Sequence, residues 1–599
     1  MKAVLALACI VAVAPVSTHA AEPADAATVY PTSTAQMATV ARGKSGIPNQ
    51  LDASQRDEYR NVFALIRDQK WQDAQLLLAS MKPGPLHAIA RAEMLTAKGS
   101  PKAELDPLLK LLAEAPELPQ AQQIYAMAKS RGGIDLPALP EGNRLTWLGS
   151  APVRARAKGI KNDMSAAELA IRMQPFVKAD DGVSAQALLD STEGLTPEAL
   201  TEWQHKVAWI YYLQGDDTNA RAMAAKAAYG VGDWAIQAEW VGALAAWRQK
   251  DCTTAGNAFE RVAGRASDIE LRAAGLYWAA RADMACARPD RIEGRLKSAA
   301  QYRETFYGLL ARQALGIRDV APKPDAYVAA DWQLLGRRPN IRVAAALVEI
   351  GENGLADQVI RQEARLGDPA EFGSLVRLTA NFNLPGTQVW LSQNGPVGAQ
   401  PSLAARYPAP NWTPDGGWRV DKALVYAHTL QESRFRTDVI SKAGAYGLMQ
   451  VMPAAASDIA RKHGRTYDRS ALSKPSVNME VGQSYLEQLR DLPLTGGLLP
   501  KVIAAYNAGP APVQLWNALS HDGGDPLLYI ESIPYWETRG YVATVLRNYW
   551  MYESQGGKSV SPSRMALTQG LWPRFPGMAG AASVRLTTAV AHAIASINR

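Results

Sequence analysis

Residues 71–95, WQDAQLLLASMKPGPLHAIARAEML, hold two apolar runs at helical spacing with a Pro- and Gly-containing turn between them. The same character, rich in Ala, Leu, Gln and Arg and broken by short Gly, Asp or Pro turns, extends from about residue 51 to residue 316. Apolar residues at this period place one face of a helix against its neighbour. The chain is therefore predicted to be all-α, with one helical hairpin following another.

A repeat is visible within this helical region. Tyr212 and Trp247 are 35 residues apart, as are Ala220 and Ala255. A period of about 34 or 35 residues is typical of two-helix repeats, which bury their apolar faces only by stacking on one another. We therefore expect residues 46–335 to form a helical superhelix, a ring or U-shaped solenoid. Such a solenoid by itself equally suits a scaffold that binds protein partners.

Two breaks divide the rest of the chain. Pro and Asp interrupt residues 320–340, and residues 395–417, GPVGAQPSLAARYPAPNWTPDGG, have the composition of a connector. We expect a small helical linker domain at 336–405, a compact unit at 415–560 and a C-terminal tail at 561–599. A short apolar helix is predicted in this tail, from Val584 to Ile597.

Composition limits the function classes. The 599 residues are 47% hydrophobic and 20% charged, which is typical of a globular chain and argues against extensive disorder. Lys and Arg number 64 against 57 Asp and Glu, without the long basic run that a nucleic-acid track needs. The net charge of +7 is compatible with an acidic polymer as partner but does not identify a ligand.

The N-terminus has the features of an export signal. Lys2 precedes an apolar run, and Thr18 and Ala20 supply the small residues of a cleavage site. We predict a signal peptide at 1–20, a flexible leader at 21–45 and a periplasmic protein with no membrane-spanning segment. Cys9 raises the alternative of a lipoprotein signal, but an apolar stretch follows it.

Only two cysteines remain after the predicted cleavage, Cys252 and Cys286. In an oxidising compartment they could form a disulfide between neighbouring helices, or they could be two buried free thiols. Their spacing offers no redox or zinc motif. His428 and His463 likewise lack the spacing of metal ligands, so no metal site is predicted.

Four short segments carry the candidate chemistry. The first, QESRF at 431–435, places Glu432 at the predicted end of a helix that starts near Val420. The second, SKAGAYGLMQVMP at 441–453, runs through a Gly-containing turn into another helix. The segments AYNAG at 505–509 and ESIPYWETRGYV at 531–542 follow. Singly each is weak evidence, since a Glu at a helix end is usually a solvated charge. Glu480 and Glu537 are accordingly expected to face solvent.

In this order and spacing the four segments resemble the catalytic domain of the soluble lytic transglycosylases, lysozyme-like enzymes that cleave peptidoglycan. The resemblance is close over about residues 415–555, and the helical superhelix resembles that of the large periplasmic members. It implies that Glu432 is the catalytic acid. It also implies a set of substrate-binding residues, which are Ser441, Met449, Gln450, Tyr506, Asn507, Glu531 and Tyr541. Leu430 stands where the family often has Arg.

The resemblance further implies a monomer without a cofactor, which acts on peptidoglycan glycan strands and works beside other cell-wall enzymes. It would cleave the bond between N-acetylmuramic acid and N-acetylglucosamine and leave a 1,6-anhydro end. The alternatives are a goose-type muramidase, which hydrolyses the bond, and a non-catalytic glycan-binding scaffold.

The chemistry imposes a demand on Glu432. A free Glu titrates near 4.3, so a carboxyl that must donate a proton near neutral pH needs a raised pKa. Burial against Leu448, Met449 and Tyr506 is predicted to raise it. Ordinary glycosidases add a second carboxylate. Asp438 is the nearest candidate for that role, although a helix that ends between the two residues would separate them.

Overall fold

The structure is a computed structural model that describes residues 46–318, 325–462, 464, 466–519, 521–558 and 560–586. Helices dominate these residues, whose strands are four short segments. The all-α prediction is therefore confirmed. The predicted signal peptide with Cys9, the leader at 21–45, and His463 lie outside the described residues.

The chain begins with five short helices and one strand. They are α1 (Ala53–Arg67), α2 (Trp71–Ser80), α3 (His87–Thr96), α4 (Leu105–Glu114), α5 (Ala121–Ser130) and β1 (Leu145–Trp147). Helix α1 starts at a capping box, in which the Asp52 side chain accepts a bond from the Gln55 N–H and the Gln55 side chain accepts one from the Asp52 N–H. These bonds satisfy N–H groups that a helix start leaves without partners.

The superhelix proper follows. Its helices are α6 (Met164–Lys178), α7 (Gly182–Asp190), α8 (Pro197–Gln214), α9 (Asp217–Ala228), α10 (Gly232–Arg248), α11 (Cys252–Arg265), α12 (Ile269–Ala285), α13 (Pro289–Ala300) and α14 (Phe306–Ala314). Asp216 caps α9 and Asp251 caps α11 through the same bond to the N–H three residues on. Ala220 and Ala255 are both fully buried. The 35-residue repeat is therefore confirmed as two successive two-helix units, α8 with α9 and α10 with α11.

A disulfide joins two helices of this superhelix. Cys252 begins α11 and Cys286 directly follows α12, and their sulfurs are bonded across 34 residues of sequence with Cα atoms 5.7 Å apart. The two cysteines are therefore not free thiols.

The region predicted as a separate linker domain shares its core with the first helices. It contains α15 (Ala329–Leu335), α16 (Pro339–Ile350), α17 (Asn353–Leu366), α18 (Phe372–Asn381), α19 (Pro385–Gln393) and β2 (Asn394–Pro396). One hydrophobic cluster joins residues from 51–128 with residues from 335–405. Strand β2 pairs with β1 in antiparallel register. The sequence division at residue 335 thus differs from the packing, because the apolar faces of α1–α5 are completed by helices almost 300 residues further along.

The last unit is a compact helical bundle. Its helices are α20 (Lys422–Ser433), α21 (Pro453–Lys462), α22 (Pro475–Asp491), α23 (Leu499–Ala508), α24 (Pro510–Leu519), α25 (Pro526–Ser532), α26 (Trp536–Gln555) and α27 (Pro562–Thr568), and its strands are β3 (Trp572–Pro573) and β4 (Ser583–Val584). Helix α26 packs against both α20 and α23. This packing brings three of the four sequence segments together.

The described part of the predicted C-terminal tail, residues 561–586, is folded against the rest of the protein. Helix α27 packs against α14 of the superhelix, and Trp572 is fully buried. Val584 lies in β4, paired with Trp572, and not in a helix. Residues 587–597 of the predicted apolar helix lie outside the described residues. Part of this tail belongs to the core, because Trp572 packs on Tyr529 of the last unit and Phe575 is also buried.

The superhelix and the last unit share one hydrophobic core, which runs from Leu169 to Phe575. The ring of Phe306 stacks on Trp550 with centroids 5.1 Å apart. Arg281 forms an ion pair with Asp525 at 2.7 Å, and the hydroxyls of Tyr212 and Ser532 lie 2.7 Å apart. The last unit is therefore held against the superhelix by both apolar and polar contacts. Over the described residues, no helix combines the length and the apolar character needed to cross a bilayer.

Candidate active site

Helix α20 places Glu432 at the edge of the bundle. The Asp421 side chain caps its start by accepting a bond from the Ala423 N–H at 2.9 Å. Its apolar side chains are buried against α26, and the helix ends at Ser433, because Arg434 and Phe435 adopt left-handed backbone conformations with φ of 52° and 61°. Glu432 therefore lies in the last turn, where the unpaired carbonyl groups of a helix disfavour a negative charge.

The Glu432 carboxyl is half-buried and has one hydrogen-bond donor from α26. The Tyr541 hydroxyl donates to its Oε1 at 2.5 Å. Burial raises the pKa of Glu432 from 4.5 to about 7, the Tyr541 hydrogen bond acts in the opposite direction, and the exposed Glu537 adds repulsion that raises it further. A carboxyl in this state keeps a proton near neutral pH, as the chemistry predicted from the sequence requires.

His428 extends this contact into the core. It lies one helical turn before Glu432, is fully buried, and has its Nδ1 2.9 Å from the Tyr541 hydroxyl. Its ring also packs on Tyr506 with centroids 4.6 Å apart. No sequence motif indicated this role for His428, which entered only as a candidate metal ligand. The spacing of four residues between His428 and Glu432, which puts both on one helix face, was the available signal for the contact.

The loop after α20 folds into a tight double reversal. Ile440 pairs with Tyr446, and Tyr446 pairs with Val451. Gly447 has a φ of 71°, and a Cβ there would lie 2.4 Å from the Asn478 amide nitrogen, so only glycine fits. Asn478, a buried residue of α22, supports this loop and was not indicated by any sequence motif. It accepts from the Met449 N–H at 2.8 Å and donates to the carbonyls of Tyr446 and Leu472.

Three predicted sugar contacts lie in this loop, and their side chains differ in availability. Ser441 Oγ accepts a bond from the Ala445 N–H at 3.0 Å. The Gln450 amide nitrogen donates to Val439 and Gly447 carbonyls, which leaves its amide oxygen for a ligand. The Met449 side chain is fully buried, so a side-chain contact with sugar is not favoured, and its predicted role in sugar binding stays a prediction. Its carbonyl instead accepts a bond from the Tyr506 hydroxyl at 2.8 Å.

Helix α23 contributes Tyr506 and Asn507. Tyr506 packs between His428 and Tyr485, whose ring centroid is 5.4 Å away. The Asn507 side-chain oxygen accepts a bond from Thr538 at 2.7 Å, which joins α23 to α26. The structure therefore brings Glu432, Tyr506 and Tyr541 together, with Asn507 at the next position along α23.

Glu531 is not placed as expected. It is buried, and its two carboxylate oxygens accept bonds from Arg154 at 2.6 and 3.1 Å and from Tyr307 at 2.7 Å. Despite its burial the pKa of Glu531 is lowered, because the Arg154 guanidinium stabilises its charge. The predicted contact of Glu531 with substrate stays a prediction, although both of its oxygens already accept bonds from Arg154 and Tyr307.

The two glutamates that were expected to face solvent, Glu480 and Glu537, differ in burial. Glu537 is exposed, as predicted. Glu480 is buried, which contradicts its predicted exposure, because it pairs with Arg419 at 2.7 Å and accepts a bond from the Gly416 N–H. It therefore fixes the connector that leads into α20. Asp438 follows the reversal at Arg434, and burial raises its pKa.

Comparison with known proteins supports this geometry. A family model described as the transglycosylase SLT domain matches residues 414–527. The soluble lytic murein transglycosylase of Salmonella typhimurium is 36% identical over 132 residues, which cover 22% of this chain and 20% of the relative. A putative soluble lytic murein transglycosylase of Haemophilus influenzae is 28% identical over 289 residues, 46% of each chain. These alignments span less than half the length of the curated relatives.

Solved structures extend the similarity to most of the chain. The 70-kDa soluble lytic transglycosylase of Escherichia coli superposes with a TM-score of 0.50 at 17% identity, over 87% of this chain and 99% of that one. An inactive glutamate-to-glutamine mutant of the lytic transglycosylase Slt of Pseudomonas aeruginosa gives 0.51 at 19% identity, over 84% and 87%. At this identity the similarity concerns the fold alone. Residues 414–527 therefore belong to the transglycosylase SLT domain family, and the chain over most of its length has the fold of these soluble lytic transglycosylases.

Proposed function

We propose that the protein is a peptidoglycan lytic transglycosylase that cleaves the β-1,4 bond between N-acetylmuramic acid and N-acetylglucosamine. The observation that carries this proposal is a half-buried carboxyl, Glu432, whose pKa is raised to about 7 at the edge of an SLT domain. The similar relatives are named for the same activity.

In the first step Glu432 donates its proton to the bridging oxygen, and the bond from that oxygen to C1 of the muramic acid breaks. The acetamido group of the same sugar stabilises the positive charge that develops at C1. Glu432 is left as a carboxylate that still accepts the hydrogen bond from Tyr541. This bond stabilises the charged form and so limits the cost of the transfer.

In the second step the 6-hydroxyl of the muramic acid bonds to C1 and gives its proton to the Glu432 carboxylate. The product is a 1,6-anhydro end, and the enzyme returns to its protonated state without water. An oriented internal hydroxyl has an effective molarity of roughly 10⁵ M or more, far above the molarity of water at about 55 M. Cyclisation therefore needs no second carboxylate, and assistance by Asp438 stays a prediction.

The sugar contacts are part of the proposal. Ser441, Gln450, Tyr506, Asn507 and Tyr541 are proposed to bind or orient the glycan strand, and the helical superhelix is proposed to hold the strand before the cut. The predicted signal peptide and the Cys252–Cys286 disulfide support a periplasmic location, because disulfides persist in oxidising compartments. We propose a monomer that acts beside other cell-wall enzymes.

The test is digestion of purified sacculi with the mature protein, followed by mass spectrometry of the released sugar ends. We expect anhydro ends, which are one water lighter than hydrolysed ends, and we expect Glu432→Gln to lower turnover by about 10³-fold or more. Glu193→Gln, a change at an exposed glutamate of the superhelix, is the control. Reducing ends would establish a hydrolase, and equal activity of Glu432→Gln would favour a glycan-binding scaffold.

A further inference from the structure

His428 is a buried residue one helical turn before Glu432 on α20, and Tyr541 links the two by hydrogen bonds. Its Nδ1 lies 2.9 Å from the Tyr541 hydroxyl, which lies 2.5 Å from Glu432 Oε1. Its other nitrogen, Nε2, is buried and has no hydrogen-bond partner among the described residues. The side chains of Glu432, Tyr541 and His428 thus form a linear chain of hydrogen bonds that ends in the core at His428 Nε2.

The imidazole in this chain is neutral. Burial lowers the pKa of His428 from 6.5 to about 3. The rings of Tyr506 and Tyr541 face His428, while Tyr541 and Glu537 of α26 and Tyr506 of α23 surround Glu432. No cation is among these groups, so the imidazole carries a single N–H.

The charge state of Glu432 determines which group donates and which accepts in each of these hydrogen bonds. A carboxylate has no proton to donate, so the Tyr541 hydroxyl must donate to Oε1 when Glu432 is ionised. The Tyr541 oxygen then accepts the only proton of the imidazole, which places that proton on Nδ1. When Glu432 is protonated, the chain could reverse only if His428 moved its proton to Nε2, where nothing accepts it.

We propose that His428 is a positioning residue, whose Nδ1–H holds the Tyr541 hydroxyl as a donor to Oε1 and thereby keeps the acid proton of Glu432 on Oε2, the oxygen left for substrate. This inference rests on the proposed function of Glu432 as the acid. Because hydrogen bonds in a chain polarise one another, the imidazole also strengthens the bond from Tyr541 to the carboxylate.

The test replaces His428 with Phe, which keeps a ring of similar size and removes the donor, and with Asn, which restores an N–H near the position of Nδ1. Rates of anhydro-end release are measured from pH 4 to pH 9. For His428→Phe we expect kcat to fall about 3- to 10-fold, KM to stay within twofold, and the alkaline limb to move up by about half a unit to one unit. His428→Asn should recover part of both changes.

Two further measurements keep the inference separate from the proposed function and from misfolding. A carboxyl ¹³C titration of Glu432, assigned by the loss of its signal in Glu432→Gln, should show the upward pKa shift in His428→Phe even if the enzyme is not a transglycosylase. In a Tyr541→Phe background, His428→Phe should cause no additional shift. An unchanged titration, or equal shifts with and without the Tyr541 hydroxyl, would overturn the inference. Absence of anhydro ends from the wild type would overturn the proposed function alone.

Discussion

The raised pKa of Glu432 predicts that the residue required for activity lowers the stability of the protein. In the unfolded chain this carboxyl titrates near 4.5, whereas in the folded protein it titrates near 7. Below pH 4.5 both states are protonated, so the group contributes no difference. As the pH rises from 4.5 to 7 the unfolded state ionises first, and the free energy of unfolding falls. Above pH 7 the full cost is present.

The magnitude follows from the size of the shift. A change from 4.5 to about 7 corresponds to at most about 3 kcal/mol, since one unit is worth about 1.4 kcal/mol. The carboxyl is partly exposed, so solvent reduces this value, and we expect about 1–3 kcal/mol at pH 8. Gln has nearly the same shape and no charge. Glu432→Gln should therefore stabilise the protein above pH 7 and have no effect at pH 4.

The assay is thermal unfolding of the wild type and of Glu432→Gln at pH 4, 6 and 8. We expect the variant to gain about 1–3 °C in Tm at pH 8, an intermediate amount at pH 6 and nothing at pH 4. Glu193→Gln, at an exposed position, controls for the loss of one negative charge. A Tm difference that is the same at all three pH values, or a loss of Tm at pH 8, would refute the reasoning.

Two other contacts give measurable expectations. Glu531→Gln should cost about 3–5 kcal/mol in chemical denaturation, because it leaves the Arg154 guanidinium buried without a counter-charge, and adding Arg154→Met should recover part of that loss. A loss of less than about 1 kcal/mol in the free energy of unfolding of Glu531→Gln would contradict this, since it would mean that water solvates the Arg154 guanidinium in place of Glu531. Joint replacement of Cys252 and Cys286 by Ser should cost about 2–4 kcal/mol, since the bond closes 34 residues of chain. Unfolding that reductant leaves unchanged in the wild type would contradict this.

Local patterns predicted the parts of the fold whose partners are close in sequence. The repeat that contains Ala220 and Ala255 was readable because each two-helix unit packs on the next one along the chain. The catalytic candidate was readable because Glu432 lies in a segment with a distinctive order of residues. The end of α20 near Glu432 was also predicted from the sequence. The left-handed backbone conformations of Arg434 and Phe435, which end the helix, were not.

Local sequence did not indicate the environment of a side chain where a distant partner decides it. Glu480 and Glu531 both lie on helices, and neither local sequence indicates burial. Each is buried because an arginine reaches it, Arg419 from the preceding connector and Arg154 from the superhelix. Met449 was expected in the cleft, but its side chain fills the core and only its backbone supports the site.

By itself the sequence determined the helical class, the repeat and the identity of the candidate acid, because hydrophobic period and motif order are local properties. Only the tertiary structure decided that α1–α5 pack against the region before the last unit, that Trp572 and Phe575 of the tail are core, and that Tyr541 and His428 stand behind Glu432. The physical reason is that burial, and with it the pKa of a carboxyl, depends on side chains more than 100 residues away, which no local pattern encodes.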